Sequence, residues 1–231
     1  MSDDPLSLDE FNGLVRLFPL PNLVLFPFVV QPLHIFEPRY RQMMADALDG
    51  DRLLSIVLLK PGWEEDYHLK PAIHSVACVG RIVKEELLPD GRYNLLLHGL
   101  ARARIIEEMP SDKLYRTAQV ELLQDVLPAS PQADAALREQ MARVVPAWFV
   151  GETKTLRQVE KWLASELPTG TLADVFAFAL PLPAEFKQGL LEEVNVQRRV
   201  ERLLEGVANW LPAPPPALAA GRRFPPDFSP N

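Results

Sequence analysis

The first half of the chain carries short apolar or alternating runs separated by proline, glycine and aspartate, a pattern typical of β-strands. This pattern predicts eight strands, over residues 14–18, 23–26, 32–36, 53–59, 75–88, 93–97, 101–108 and 116–123. Asp90-Gly91 predicts a tight hairpin turn, because glycine readily adopts a positive φ. Pro38 begins the one helix predicted in this half, and Gly50 ends it.

After Pro128 the apolar residues recur about every 3.6 positions, which is typical of helices. The spacing predicts five helices, over residues 137–149, 156–167, 171–180, 183–194 and 200–211. In the last of them we expect a buried stripe formed by Val200, Leu203, Leu204 and Val207. We therefore predict a β-rich subdomain over 14–125, a helical bundle over 129–211, and flexible ends over 1–13 and the proline-rich 212–231.

Composition narrows the possible compartment and partners. The 231 residues include 24 Lys and Arg against 31 Asp and Glu, a net charge of −7, which disfavours nucleic acid as a partner. Cys78 is the only cysteine, so no disulfide can form within the chain. The N-terminus is acidic, and no apolar run approaches the roughly 18 residues of a membrane span. We predict a cytoplasmic protein that does not contact a membrane.

No side-chain pattern in the sequence predicts catalysis or metal binding. Cys78 lies in an apolar strand run, which favours a buried thiol over a nucleophile. The remaining candidates are four scattered histidines and two acid pairs on strands, His34, His68, His74, His98, Glu85-Glu86 and Glu107-Glu108. Adjacent strand residues point to opposite faces, so neither acid pair forms a dyad by itself. We predict no catalytic residue, no cofactor, no metal and no enzymatic activity.

Two long motifs resemble the N-terminal substrate-binding domain of Lon protease. The first is LFPLPNLVLFP over residues 17–27 followed by LHIFEPRY over 33–40, and the second is LPDGRYNLLLHGL over 88–100 followed by ARARI over 101–105. The resemblance extends over about residues 14–210. The chain departs from the family pattern at Phe28, where the family often has glycine.

The resemblance implies an α+β fold, in which a β-barrel-type sheet of the pseudouridine-synthase-and-archaeosine-transglycosylase (PUA-like) type precedes a helical bundle. In the full-length protease this region engages protein substrates, while separate domains use ATP and cut peptides. No phosphate-binding Gly-x-x-x-x-Gly-Lys-Ser/Thr motif occurs in this sequence. The resemblance thus implies a non-catalytic binding domain without the ATPase and protease domains.

We therefore predict a protein- or peptide-binding domain whose partners are unfolded proteins or peptides, with a protease or chaperone component as a further candidate. An extended peptide could pair with an unpaired strand edge. The alternative is an RNA-binding module on the PUA-like fold. Its candidate basic residues are Arg102, Arg104, Arg198, Arg199 and Arg202, for which the sequence favours salt-bridge or surface roles.

Four aromatic residues are the candidate partner-binding residues, Trp63, Tyr67, Phe26 and Phe28. Trp63 and Tyr67 flank three acids in a connection between strands, where they could either grip apolar side chains of a partner or fold back over the sheet. Phe26 and Phe28 flank Pro27 and could form a second apolar patch, although a place in the core is favoured for them.

Overall fold

The computed structural model describes residues 7–9, 11–66, 69–149 and 153–210. It is an α+β structure, as predicted, with a six-stranded sheet and six α-helices among the described residues. The chain divides into two compact units, the first ending at Leu123 and the second beginning at Gln124. The predicted flexible C-terminal end lies outside the described residues, whereas Leu8 and Phe11 near the N-terminus pack against the core of the first unit.

The first unit contains all six strands. They are β1 (Leu14–Leu20), β2 (Val30–Ile35), β3 (Leu53–Leu58), β4 (Val76–Leu87), β5 (Tyr93–Met109) and β6 (Arg116–Leu122). Helix α1 (Pro38–Leu48) and a short 3-10 helix (Trp63–Asp66) lie between strands. The sheet order is β2-β5-β4-β3-β1-β6, and β6 also pairs with β5. Five strands therefore form a closed ring of pairings around an apolar core, and β2 pairs outside that ring with β5.

Strand β5 corrects the prediction of two separate strands over 93–97 and 101–108. It is one 17-residue strand that contains Gly99. Its first part pairs with β2 and β4, and its last part pairs with β6, so its length joins the two sides of the ring. A register shift between Val79 and Gly80 on β4 accommodates the interruption that the sequence shows near Gly99.

The run over residues 23–26 is not a strand, which is a second correction. Its side chains Val24, Leu25 and Phe26 are buried instead against the sheet. Gly80 and Gly99 are paired on neighbouring strands at this place, and a Cβ built on Gly99 would lie 2.1 Å from the Phe26 carbonyl oxygen. The run is apolar because it packs across the sheet rather than extending it.

The hairpin and the first helix confirm their predictions. Gly91 adopts a φ of 80°, and the Leu88 amide donates to the Arg92 carbonyl across the turn at 2.8 Å. Helix α1 begins at Pro38, where proline needs no hydrogen-bond partner for its nitrogen. The side chains of Glu37 and Arg39 form an ion pair of 2.9 Å at the helix start.

The second unit is helical. Its helices are α2 (Pro131–Val144), α3 (Thr153–Leu163), α4 (Thr169–Ala179), α5 (Ala184–Glu192) and α6 (Val196–Trp210), with a 3-10 helix (Val145–Phe149) after α2. All five predicted helices are present. On α6, Val200, Leu203 and Val207 are buried as predicted, but Leu204 is only half-buried. Arg199 and Gly206 take buried places on this helix that the apolar pattern did not indicate.

Candidate functional site

The candidate aromatic residues lie in very different environments. Phe26 has no exposed side-chain surface and belongs to the core. Phe28, two residues later, is 58% exposed. Trp63 begins the 3-10 helix and is half-buried, while Tyr67 lies outside the described residues. Phe28 therefore presents the most accessible apolar surface among the candidates that the structure describes.

Phe28 occupies a backbone conformation that normally favours glycine. Its φ is 65°, and among the described residues only Arg52 shares a positive φ without being glycine. The Val29 amide donates to the Phe26 carbonyl at 3.3 Å, which closes a turn with Pro27 and Phe28 at its centre. Proline followed by a positive-φ residue is the pattern of a type II turn. This geometry explains why glycine suits the position.

Strand β5 holds this turn in place. The Phe28 amide donates to the Gly99 carbonyl at 2.8 Å, and the Gly99 amide donates to the Val29 carbonyl at 2.8 Å. A Cβ built on Gly99 would lie only 2.1 Å from the Phe26 carbonyl oxygen, so no side chain fits at position 99. The exposed phenyl group of Phe28 is therefore presented by a rigid support.

Two further apolar side chains are exposed along the strand that follows the turn. Val30 and Phe36 are 40% and 38% exposed, at the start of β2 and just after its end. His34 lies between them and stacks on Phe36 with ring centroids 6.2 Å apart. We call Phe28, Val30 and Phe36 the apolar strip. Its members reach solvent, whereas Pro32 between them is buried and the residues on the other face of β2 are buried as well.

The outer edge of β2 is poorly suited to pairing with another strand. Pro32 has no amide hydrogen, and proline within a strand is compatible only with an unpaired edge. The Gln31 side chain donates to the Pro32 carbonyl at 2.7 Å and so occupies that acceptor. Recognition at the apolar strip would therefore depend on side chains rather than on main-chain pairing.

Polar side chains form an ordered row across the sheet beside the strip. His34 Nδ1 lies 2.8 Å from Asn94 Oδ1, and Asn94 Nδ2 donates to a Glu86 carboxylate oxygen at 3.1 Å. His98 lies opposite Val30, and burial lowers the pKa of its imidazole below the usual value. These neighbours leave the surface around the strip mixed in charge rather than basic.

The cysteine and the metal-type side chains of the described residues lie apart from the apolar strip's candidate role. Cys78 is buried, as predicted, and no three His, Cys, Asp or Glu side chains among the described residues are placed to hold a metal ion. Glu85 and Glu86 lie near the hairpin, where Glu85 forms an ion pair with Arg52. No helix of the described ranges combines the length and apolarity of a membrane span.

The buried arginine of the helical unit has a structural role. Arg199 is fully buried, and its guanidinium donates two hydrogen bonds to the Asp125 carboxylate at 2.9 and 2.6 Å. Its Nε lies 3.2 Å from the buried Asp174 carboxylate. A Cβ on Gly170 would lie within 2.8 Å of both Asp125 and Arg199, so the cluster is closely packed. It holds residue 125 against α6.

The burial of two arginines also weakens the basic surface that an RNA-binding function would need. Arg102 is 3% exposed, and Arg199 has no exposed surface. Arg202 donates to the Gly189 carbonyl at 3.0 Å. Among the five candidate arginines, only three therefore retain exposed side chains.

Comparison with known families identifies the domain. A family model described as the ATP-dependent protease La (LON) substrate-binding domain matches residues 15–209. This chain belongs to the Lon substrate-binding domain family. The sequence-based recognition of the family is thereby confirmed.

Three curated relatives of this chain are Lon proteases. The Lon protease of Paraburkholderia phytofirmans is 29% identical over 197 residues, Lon protease 2 of Myxococcus xanthus 26% over 200, and the Lon protease of Escherichia coli K12 27% over 194. The alignments cover 83%, 87% and 82% of this chain, respectively, but 24% of each relative. This Lon substrate-binding domain thus spans about a quarter of their length.

Two solved structures share the fold. A Lon N-terminal domain protein from Xanthomonas campestris matches with a TM-score of 0.59 and 23% identity, covering 83% of this chain and 97% of the other. The N-terminal domain of a Mycobacterium avium complex Lon protease matches with a TM-score of 0.66 and 16% identity, covering 85% and 98%. Both likenesses concern the architecture of the Lon substrate-binding domain.

Sequence reasoning missed Val30 and Phe36 as candidate contact residues. The signal was present in the predicted strand over 32–36, which continues into apolar residues on both faces. A strand with one exposed face normally alternates with polar residues. Apolar residues at positions of both parities therefore indicated either full burial or an exposed contact surface.

Proposed function

We propose that this Lon substrate-binding domain is a non-catalytic binder of unfolded proteins and extended peptides, and that the apolar strip is its main contact surface. The observation that supports this most strongly is Phe28. A large apolar side chain is held 58% exposed on a backbone conformation that costs about 1–2 kcal/mol for a residue with a Cβ. A strained position that keeps a large apolar side chain mostly in solvent supports a contact with a partner molecule.

The strip suits an apolar segment of an unfolded chain. From Val30 to Phe36 it extends over about 20 Å at the rise of a β-strand, which matches several residues of an extended peptide. Exposed aromatic side chains commonly supply most of the binding energy of such contacts. Trp63 and Tyr67 are proposed as a secondary contact.

Replacing Phe28 by alanine tests the proposal without altering the turn chemistry, because alanine keeps the Cβ. Binding to a reduced, carboxymethylated unfolded protein should weaken about tenfold or more, which corresponds to about 1.4 kcal/mol. Fluorescence anisotropy of the labelled unfolded protein measures the affinity. Leu114→Ala is the matched control, because Leu114 is 63% exposed in the same unit but lies outside the strip.

The outcomes separate the proposal from its alternatives. An equal loss for Phe28→Ala and Leu114→Ala would indicate unspecific apolar adhesion. A loss confined to Trp63→Ala would move the contact to the 3-10 helix. No measurable binding by the folded wild-type domain at high micromolar concentration would contradict the proposed function.

A further inference from the structure

Strand β4 is twice as long as β3, the strand that pairs with it on the side away from β5. It contains 12 residues, whereas β3 contains six and pairs only with residues 78–81 of β4. Beyond Ile82, β4 keeps β5 on one side. Within the ranges that the structure describes, no strand pairs with its other side over residues 83–87. We call this segment the β4 edge.

Arg52 marks where the pairing with β3 ends. The Ile82 amide donates to the Arg52 carbonyl at 2.9 Å, and Arg52 Nε donates to the Ile82 carbonyl at 3.1 Å. The guanidinium then forms an ion pair with Glu85. The Arg52 side chain thus lies beside the first residues of the β4 edge, from the Ile82 carbonyl to the Glu85 carboxylate, where β3 provides no further partner.

The hairpin fixes which main-chain groups point outward from the β4 edge. Leu88 and Arg92 are a hydrogen-bonded pair, and bonded pairs alternate along an antiparallel ladder. Lys84 and Glu86 therefore direct their main-chain groups toward β5. Glu85 and Leu87 direct theirs away from it, where they can bond to another strand.

We propose that the β4 edge pairs with the same edge of a second copy of this chain, antiparallel and centred on Glu85. In that register Lys84 lies opposite Glu86 of the second copy, and the two-fold axis produces the same pair again. Opposite charges at facing positions stabilise antiparallel pairs. Val83 and Leu87, which are both exposed, lie at the two ends of this segment, with Val83 at the register shift between Ile82 and Lys84.

The central contact carries like charges that the structure already compensates. Glu85 of each copy faces its equivalent across the axis, but each carboxylate is paired with Arg52 of its own chain. Their main-chain groups are the ones that point outward, so they can form two reciprocal hydrogen bonds. Charged residues commonly protect strand edges from pairing, yet the order Lys-Glu-Glu is complementary to itself in this single register.

The contact is small, so the dimer it forms is weak. Two five-residue edges bury less than the roughly 1,200–2,000 Å² of a typical stable interface. We expect association that is detectable by sedimentation equilibrium at about millimolar protein concentration, in the transient class of contacts.

Charge exchange tests the register directly. Lys84→Glu places like charges opposite each other, as does Glu86→Lys, and each should weaken association about tenfold or more. The double variant Lys84→Glu/Glu86→Lys restores opposite charges and should recover association to within about threefold of wild type. Thermal melts establish that all three variants are folded. Failure of the double variant to recover, with a folded sample, would overturn the proposal.

A disulfide trap provides a second readout that does not depend on affinity. Lys84→Cys/Glu86→Cys should give a covalent dimer under mild oxidation, because each new cysteine faces its partner in the second copy. The native Cys78 is buried and should not compete. Glu64→Cys/Asp66→Cys is the control pair on the exposed 3-10 helix. Equal dimer yields from both pairs would contradict the proposal, as would an edge that binds peptide while the chain stays monomeric.

Discussion

Two turns of the first unit place a residue other than glycine in the left-handed region, and they use that conformation differently. At Arg52, with a φ of 60°, the side chain bonds to the Ile82 carbonyl and pairs with Glu85. At Phe28, with a φ of 65°, the side chain extends into solvent. At Arg52 the contacts of the side chain offset the strain, whereas at Phe28 main-chain hydrogen bonds to Gly99 hold the turn and the phenyl group stays 58% exposed. This difference supports the proposal that Phe28 serves an external contact.

The largest expected effect comes from removing the support of the Phe28 turn. Gly99→Ala places a methyl group where the Phe26 carbonyl oxygen lies, at a distance that no relaxed structure allows. Overpacking against main chain should lower the free energy of unfolding by about 2–4 kcal/mol. Urea denaturation measures it. A loss below about 0.5 kcal/mol would show that the turn is not rigidly held.

Replacing Arg52 by glycine should also destabilise the fold, although it relieves the backbone. The variant loses the bond to Ile82 and the ion pair with Glu85, which together outweigh the relief. We expect a net loss of about 0.5–2 kcal/mol in the same urea assay. An increase in stability would mean that the side-chain contacts do not compensate the strain.

Replacing Phe28 by glycine should, in contrast, raise the free energy of unfolding or leave it unchanged. Phe28→Gly relieves the backbone and removes a side chain that is mostly in solvent, while glycine adds freedom to the unfolded chain. The expected change lies between zero and about 1 kcal/mol of added stability. A loss of more than 1 kcal/mol would show that the phenyl group packs within the fold, against the proposed function.

The smallest expected effect concerns His98, opposite Val30. Burial lowers the pKa of His98, so the unfolded chain binds a proton at a higher pH than the folded chain. Above the unfolded-state pKa of about 6.5, His98 is neutral in both states and does not affect stability. As the pH decreases below that pKa, the unfolded chain binds the proton more readily, so the free energy of unfolding falls. His98 is only half-buried, so we expect less than about 1 kcal/mol.

Removing the titrating group checks the assignment to His98. Melts of the wild type and of His98→Gln, taken from pH 7.5 to 5, should differ in slope only below about pH 6.5. Parallel slopes would show that His98 does not contribute to the acid sensitivity.

The sequence predicted the elements better than their pairing. Asp90-Gly91 located the hairpin correctly because its signal is local. The strand predicted over 23–26 is wrong, because apolar composition does not distinguish an extended strand from a segment packed across paired glycines. The sequence predicts separate strands over 93–97 and 101–108 because glycine often ends a strand. In the structure Gly99 lies within one continuous strand, where it allows close packing with Phe26.

The candidate site could be predicted only in part, because some of its features depend on residues far apart in the sequence. The unusual backbone at Phe28 depends on hydrogen bonds to Gly99, 71 positions away in sequence, which no local pattern encodes. The β4 edge had a usable signal, because the predicted strand over 75–88 was twice as long as its neighbour over 53–59. Such a mismatch implies that part of the longer strand lacks a partner.

Mapping of amide chemical shifts during titration with an apolar, proline-free peptide is the most direct test of the apolar strip as the binding surface. The largest shifts should fall on residues 28–36, with smaller ones on the neighbouring part of β5, and in Phe28→Ala about tenfold more peptide or greater should be needed to reach the same shifts. Shifts confined to the helical unit or to the 3-10 helix at Trp63, with residues 28–36 unchanged, would contradict the apolar strip as the binding surface.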